Sequence, residues 1–262
     1  MSITQEQVHN LAHELMDAEA NFAAVAPITD RIPDFTVEDA YQVQKAVLEH
    51  RLGEGRTIIG KKVGLTSKAM QKALGVDEPD YGMLLDGVLI EDGAEYAANQ
   101  LLQPRIEGEI AFLLKADLRG TNITPEQVLE ATECVFPSLE VIDSRIKDWK
   151  IKLPDTIADN ASSARVVTGT NRVPVQGLDL ANVEMVFEKN GEEIGRATGE
   201  AVLGNPANAV AWLANTLNRL GSSINAGDIV MPGALTAMTP VQAGDTIKAT
   251  FSGLGSVSVR FT

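Results

Sequence analysis

Thiol and imidazole chemistry is almost missing from this chain of 262 residues, which has one cysteine and three histidines. A lone Cys134 makes neither a disulfide framework nor a zinc pattern, and fits a reducing compartment. His9, His13 and His50 all fall in the first fifty residues, none with a partner nearby in sequence, and read as surface or packing residues of helices. Basic residues are also in short supply: 22 Lys and Arg against 36 Asp and Glu leave a formal charge of −14. That balance argues against a nucleic-acid surface or a polybasic membrane patch. It leaves room for an anionic substrate, because a bound divalent ion and a few placed cations reverse the local field. No run approaches the roughly eighteen apolar residues of a membrane span, and the N-terminus lacks a charged-then-apolar signal pattern. A cytoplasmic protein is expected. Missing too are a GxGxxG after a strand, a Walker sequence and a GxSxG, which argues against nucleotide cofactors and serine hydrolysis.

What is present is an ordinary globular composition, 44% apolar and 22% charged, with enough chain for one sizeable core. Thr4-x-x-Gln7 reads as a capping box, followed by Val8, Leu11, Leu15, Ala18 and Phe22 at helical spacing, so a helix is predicted from residue 4 to about 25. Thr36-x-x-Asp39 opens a second helix that Gly53 closes. Residues 1–55 are therefore assigned to a helical N-terminal segment and 56–262 to a β-rich domain. Within the latter, a strand-like run over 57–67 leads to a short helix predicted over 68–74, and Thr124-Pro125 starts a helix predicted to reach about Cys134. Asn190-Gly191 marks a hairpin, Asn205-Pro206 starts a helix ending at Gly221, and the terminal Ser256–Phe261 alternates cleanly. The fold class is α+β, with strongly curved or rolled sheets.

The stretch with most chemistry is Gln103-Pro104-Arg105-Ile106-Glu107-Gly108-Glu109-Ile110. On a strand, Glu107 and Glu109 project to one side and Ile106 and Ile110 to the other. Two neighbouring carboxylates near a core need a cation or a shared proton between them. Glu140 sits in a similar apolar run, Phe136–Asp143, and if the strands lie together the three acids form an all-oxygen set suited to a hard divalent ion. Taken alone, a Glu-x-Glu is more often a solvated strand face. Lys61 and Lys62 point to opposite faces of their strand; spacing alone makes both surface lysines, although a buried one could shuttle protons.

Five ordered motifs then resemble one family: Gly60-Lys61-Lys62-Val63-Gly64-Leu65-Thr66-Ser67, Glu78-Pro79-Asp80-Tyr81-Gly82, the Gln103–Ile110 stretch, Leu139-Glu140-Val141-Ile142-Asp143-Ser144-Arg145 and Ala158-Asp159-Asn160-Ala161-Ser162. They look like the hydratase/decarboxylase branch of the fumarylacetoacetate hydrolase-like superfamily, nearly end to end, and most like its 2-hydroxypenta-2,4-dienoate (2-oxopent-4-enoate) hydratases of aromatic meta-cleavage catabolism. The resemblance implies a mixed β-roll or sandwich core, Mg²⁺ or Mn²⁺ held by Glu107, Glu109 and Glu140, catalytic Lys62 and Asp80, and substrate contacts from Thr66 and Ser162. It also implies a small anionic 2-hydroxydienoate substrate, a homo-oligomer based on pentamers, and a possible complex with a 4-oxalocrotonate decarboxylase. Two alternatives stand beside the hydratase: a 4-oxalocrotonate decarboxylase, and a non-catalytic partner subunit of one. Decarboxylases of this branch carry apolar residues where this chain has Lys61 and Asp80, which favours the hydratase. A substrate with a second carboxylate at its tail would need a second cation, for which Arg145 and Arg165 are the candidates.

Overall fold

A computed structural model describes residues 3–67, 71–72 and 75–262. Helix α1 (Gln5–Ala20) starts at the predicted capping box, with Thr4 accepting from the Gln7 N–H and the Gln7 side chain from the Thr4 N–H. It ends earlier than the apolar spacing suggests: Phe22 adopts φ 52° and is half exposed, so it leaves the helical stripe. A single turn, α2 (Ile28–Arg31), and α3 (Val37–Gly53) follow, the latter capped reciprocally by Thr36 and Asp39. The helix predicted over 68–74 falls largely outside the described residues.

Among the described residues the strands form two sheets. The larger runs in the order β2 (Asp80–Leu85), β1 (Ile58–Gly64), β10 (Ile229–Met231), β5 (Arg105–Leu114), β6 (Thr132–Ile142), β7 (Ser163–Thr168) and β3 (Leu89–Glu91), with β11 (Thr239–Pro240) pairing to the start of β5. The smaller runs β4 (Glu95–Tyr96), β13 (Gly255–Phe261), β12 (Thr246–Phe251), β8 (Glu184–Lys189) and β9 (Glu192–Thr198). The β8–β9 hairpin turns at Asn190 and Gly191, both at positive φ, as the Asn-Gly signal requires.

Alternation along β5 decides where the chemistry goes. Ile106, Ile110 and Phe112 point inward and are fully buried among Met185, Phe187, Ala249 and Val257 of the smaller sheet; each such side chain contributes about 1.5–3 kcal/mol of transfer free energy. Gly108 shares that face, and a Cβ there would lie 2.4 Å from the Met185 sulfur. The glycine between the two acids is thus set by the crossing sheet. Arg105, Glu107 and Glu109 take the opposite face. Helices α4 (Pro125–Ala131) and α6 (Pro206–Arg219) complete the main core.

The helix predicted to reach Cys134 stops at Ala131, and Cys134 lies in β6. Strand pairing ends the helix early, because β6 bonds to β5 along nearly its full length, from Thr132↔Leu114 to Ile142↔Arg105. A second core holds Val8, Leu11, Leu15, Ile28, Ala40 and Val43 of the N-terminal helices together with Ile146, Ile157 and Ala158. Ile157 and Ala158 close α5 (Leu153–Ala158), where Asp155 accepts from the Thr29 N–H and hydroxyl at 3.0 and 2.7 Å. The helical segment and the 146–158 stretch are therefore packed as one body, and that body covers one side of the acid-bearing face.

Candidate active site

Register brings the acids together. Glu107 of β5 lies directly opposite Glu140 of β6, and Glu109 is one pleat along, opposite Ser138. One carboxylate oxygen from each of Glu107, Glu109 and Glu140 falls within 4.8 Å of the others. Glu109 and Glu140 are buried, while Glu107 opens onto a cavity of about 670 Å³. Lys62, Thr66, Asp80, Arg105, Trp149 and Ser162 line the same cavity. Lys62, Asp80, Thr66 and Ser162 thus lie at one place with Glu107, Glu109 and Glu140.

Lys62 reaches the acids from β1, two strands away. Its Nζ lies 2.9 Å from Glu140 Oε1 and donates to the Ala161 carbonyl at 2.9 Å. Burial pulls the ammonium pKa down, but Glu140, Glu107 and Asp80 more than offset it, and Lys62 is held protonated above its ordinary value. Asp80, on β2 opposite Gly64, is buried and pushed up to about 6, by desolvation first and against the pull of Lys62. Glu107 is pushed up to about 7 by desolvation and then by Glu140; Glu109 rises well above the usual carboxylate range for the same two reasons.

Four carboxyl groups against one ammonium is an arrangement short of positive charge. Glu109 Oε1 and Asp80 Oδ1 are buried with no hydrogen-bond donor, and Glu140 Oε1 has only the Lys62 ammonium beside it. Glu109 Oε2 is fixed by the Gly233 N–H at 2.8 Å. Oxygen donors alone, converging and unsatisfied, fit a hard divalent cation.

The Ala161 carbonyl is aimed by an unusual turn. Asn160, Ala161 and Ser162 take φ values of 52°, 50° and 52°, three left-handed non-glycine residues in succession, which the surroundings must hold in place. The Asn160 side chain pairs with both backbone groups of Met83 at 2.8 and 2.9 Å. Asp159 accepts from the Ser162 hydroxyl at 3.0 Å and from the Arg145 backbone N–H at 3.1 Å, and its ion pair with the Arg145 guanidinium is buried. Arg145 also donates to the carbonyls of Asp143 and Ser163. Arg145 is therefore a brace for the turn and not a cation facing ligand. Arg165 lies over the Tyr96 ring and donates to the Ala164 carbonyl; neither arginine lines the cavity.

Two further lysine and arginine assignments change. Lys61 and Lys62 are both buried, at 2% and 3% exposure, although spacing makes them surface residues. β1 is an interior strand, and Lys61, on its other face, meets Asp228 beside β10 in a buried ion pair. Lys61 thus has no place in the cavity chemistry. The cation overlooked from sequence is Arg105, whose signal is its position two residues before Glu107 on the same strand face.

Gly64 sets the place of Asp80. A Cβ at Gly64 would lie 2.1 Å from Asp80 Oδ1. Gly64→Ala is expected to push the Asp80 carboxyl aside and to lower kcat by roughly 10²-fold, the cost of misplacing a reacting group by about 1 Å. Mg²⁺ titration should stay unchanged, since no triad oxygen is touched; full activity in the variant would remove Asp80 from the site.

Known proteins can now be set beside this geometry. The family model for the fumarylacetoacetate (FAA) hydrolase C-terminal region matches residues 60–262. A 2-hydroxyhexa-2,4-dienoate hydratase of Comamonas testosteroni is 46% identical over 257 residues, covering 97% of each chain. A 2-keto-4-pentenoate hydratase of Paraburkholderia xenovorans (strain LB400) is 42% identical, covering 99% of this chain and 96% of that one. Among solved structures, the 4-oxalocrotonate decarboxylase from Pseudomonas putida G7, complexed with magnesium and adipate, superposes with a TM-score of 0.96 at 41% identity over 99% of both chains.

Proposed function

This chain belongs to the fumarylacetoacetate hydrolase family, and we propose that it is a metal-dependent hydratase adding water to 2-hydroxypenta-2,4-dienoate (2-oxopent-4-enoate) to give 4-hydroxy-2-oxopentanoate. The observation that carries the proposal is the joint placement of a buried three-glutamate cluster, a protonated lysine and a second, separate carboxyl at one cavity.

Glu107, Glu109 and Glu140 would hold Mg²⁺ or Mn²⁺, which when bound supplies Lewis-acid stabilisation of charge on the substrate's carboxylate and C2 oxygen. The chain's own groups do the rest. Lys62, protonated and lining the cavity, gives a proton to C5 as the dienol becomes the conjugated 2-oxo-3-enoate, and regains one from the C2 hydroxyl. It then gives a proton to C3 as water adds at C4, to be restored by the proton that Asp80 takes from that water. Asp80, with a pKa of about 6, is mostly ionised at neutral pH yet more basic than an ordinary aspartate. It takes the proton of the attacking water. Thr66 offers its hydroxyl to a substrate oxygen, and Ser162, whose hydroxyl proton is given to Asp159, keeps its lone pairs for a hydroxyl of the substrate.

The decarboxylase remains the second reading, favoured by the 41% identical solved neighbour. Loss of CO₂ needs no base beside a water, whereas Asp80 stands buried in the cavity with a free oxygen. That tips the choice to hydration. A cytoplasmic homo-oligomer, pentamer-based and able to associate with a family decarboxylase, completes the proposal; among the described residues no helix is long and apolar enough to cross a membrane.

The test is an ultraviolet progress curve on freshly generated 2-hydroxypenta-2,4-dienoate, using metal-stripped protein and the same protein with Mg²⁺ or Mn²⁺ restored. Metal-dependent loss of the dienoate, 4-hydroxy-2-oxopentanoate as product and no CO₂ from 4-oxalocrotonate are expected. CO₂ release without hydration would establish the decarboxylase instead.

A further inference from the structure

Asp80 stands on an edge strand that is held from outside its sheet. Among the described residues β2 comes first in the order of the larger sheet and pairs with β1 on one side alone. Backbone groups on its other side need partners from elsewhere, because a buried carbonyl or N–H left unpaired costs about as much as a lost hydrogen bond. Side-chain amides supply them. Asn160 takes both backbone groups of Met83, and Gln44 Nε2 donates to the Tyr81 carbonyl at 3.0 Å. The same nitrogen donates to the Ile157 carbonyl at 3.1 Å. An amide nitrogen carries two N–H groups, so Gln44 uses both.

Gln44 comes from α3, in the helical N-terminal segment, and is buried beside Ala40 and Val43. Tyr41, three residues earlier on the same helix face, stacks its ring on that of Tyr81 at 4.7 Å and 19°. α3 therefore grips β2 twice at the residue that follows Asp80. Ile157 lies in the last turn of α5, and the chain runs from there into the left-handed turn whose Ala161 carbonyl accepts from Lys62 Nζ. Gly82 lets that turn sit against β2, since a Cβ there would lie 2.5 Å from the Asn160 carbonyl oxygen. One buried amide thus bridges the strand that carries Asp80 and the segment that anchors Lys62. Gln44 itself does not line the cavity, so it acts through groups that do.

We propose that Gln44 is a positioning residue for proton transfer, its two hydrogen bonds fixing Asp80 relative to Lys62, so that the helical N-terminal segment belongs to the catalytic apparatus and is not only a cover. This rests on the hydratase reading, in which Asp80 and Lys62 act on one substrate from two strands. The physical reason is sensitivity to distance. Misplacing a reacting group by about 1 Å costs about 10²-fold in rate, and on its outer side β2 is held against such a shift by these side chains. Asn160 ties β2 to the turn; Gln44 ties both of them to α3.

The test is a double-mutant cycle on the Mg²⁺-loaded full chain, read by hydration of 2-hydroxypenta-2,4-dienoate. Gln44→Met keeps the volume and removes both donors. It is expected to lower kcat by about 10- to 100-fold with KM within about threefold and Mg²⁺ affinity unchanged. In an Asp80→Asn background the same substitution should lower the residual rate by less than about threefold, since the group it positions has already gone. Gln44→Asn keeps the amide but is one methylene too short to span both carbonyls. Its kcat should fall between those of the parent and the Met variant, and it carries the cycle if the Met variant does not fold. A kcat within about threefold of the parent in Gln44→Met overturns the positioning role alone. So does a rise in KM at unchanged kcat, or an equal fall in both backgrounds, which would mean that the amide acts elsewhere than through Asp80. Failure of both variants to fold also overturns it, by making the amide a requirement of the fold. No hydration by the unaltered protein overturns the hydratase reading, and the positioning role with it.

Discussion

Replacing Lys62 by Met is expected to lower kcat by about 10²- to 10⁴-fold, the range for loss of a positioned acid or base, with Mg²⁺ still bound. The two halves of that result test different things. Met is a near-isosteric choice that removes the ammonium and keeps the apolar stem. Its ammonium sits 2.9 Å from Glu140 Oε1, so it competes with any cation for that oxygen. Without it, Glu140 is an unpaired buried carboxylate, and metal affinity at pH 8 should be equal or tighter. Breaking a buried ion pair costs about 3–5 kcal/mol when nothing replaces the lost charge, so the metal-free variant should melt well below the parent and recover on Mg²⁺ addition. Calorimetric titration and a single-turnover assay decide the matter. Loss of metal binding from the variant would show that the lysine holds the site together and moves no proton. A kcat within tenfold of the parent would remove it from catalysis altogether.

The acids around Lys62 were legible from the sequence because β-strand alternation is local: Glu107 and Glu109 had to share a face once Ile106 and Ile110 took the other. What alternation does not supply is register between strands, and it is register that puts Glu140 directly opposite Glu107. The family resemblance supplied that pairing instead. Lys61 was misjudged for a related reason: whether a strand lysine is solvated depends on the strand's neighbours, and β1 lies between β2 and β10, with Asp228 waiting at the second. The helix that Thr124-Pro125 starts is read too far, to about Cys134, because pairing with β5 turns the chain into a strand from Thr132 onward. Arg145 was considered as a ligand cation and proves to be the brace of the Asn160–Ser162 turn. A charged side chain's partners are set by non-local contacts, and its sequence neighbours say little about them. Arg105, by contrast, could have been found by the same alternation that found Glu107.

Stripping the metal is expected to abolish turnover and to make stability fall as pH rises between about pH 5 and 7.5. The sign follows from proton linkage. In the metal-free protein Glu107 is raised to about 7, Asp80 to about 6 and Glu109 well above its ordinary value, each chiefly by desolvation. Across that window the folded protein binds more protons at these groups than the unfolded chain does. Their contribution to stability is therefore complete below the ordinary carboxylate range and disappears as pH passes through the raised values. Lys62, raised as well, changes nothing here because it stays protonated in both states throughout the window. Asp159, raised to about 6 by desolvation against the pull of Arg145, adds a slope of the same sign that does not depend on metal. The comparison with and without Mg²⁺ therefore isolates the cluster. The divalent ion displaces the protons, so its stabilisation should grow with pH and its binding at pH 6 should release more protons than at pH 8. Melting curves at matched ionic strength from pH 5.5 to 8, with chelator or with Mg²⁺, give the first quantity; titrations in buffers of different ionisation enthalpy give the second. A Mg²⁺-induced rise in Tm that is the same at every pH would mean that the ion is held by groups other than these desolvated carboxyls.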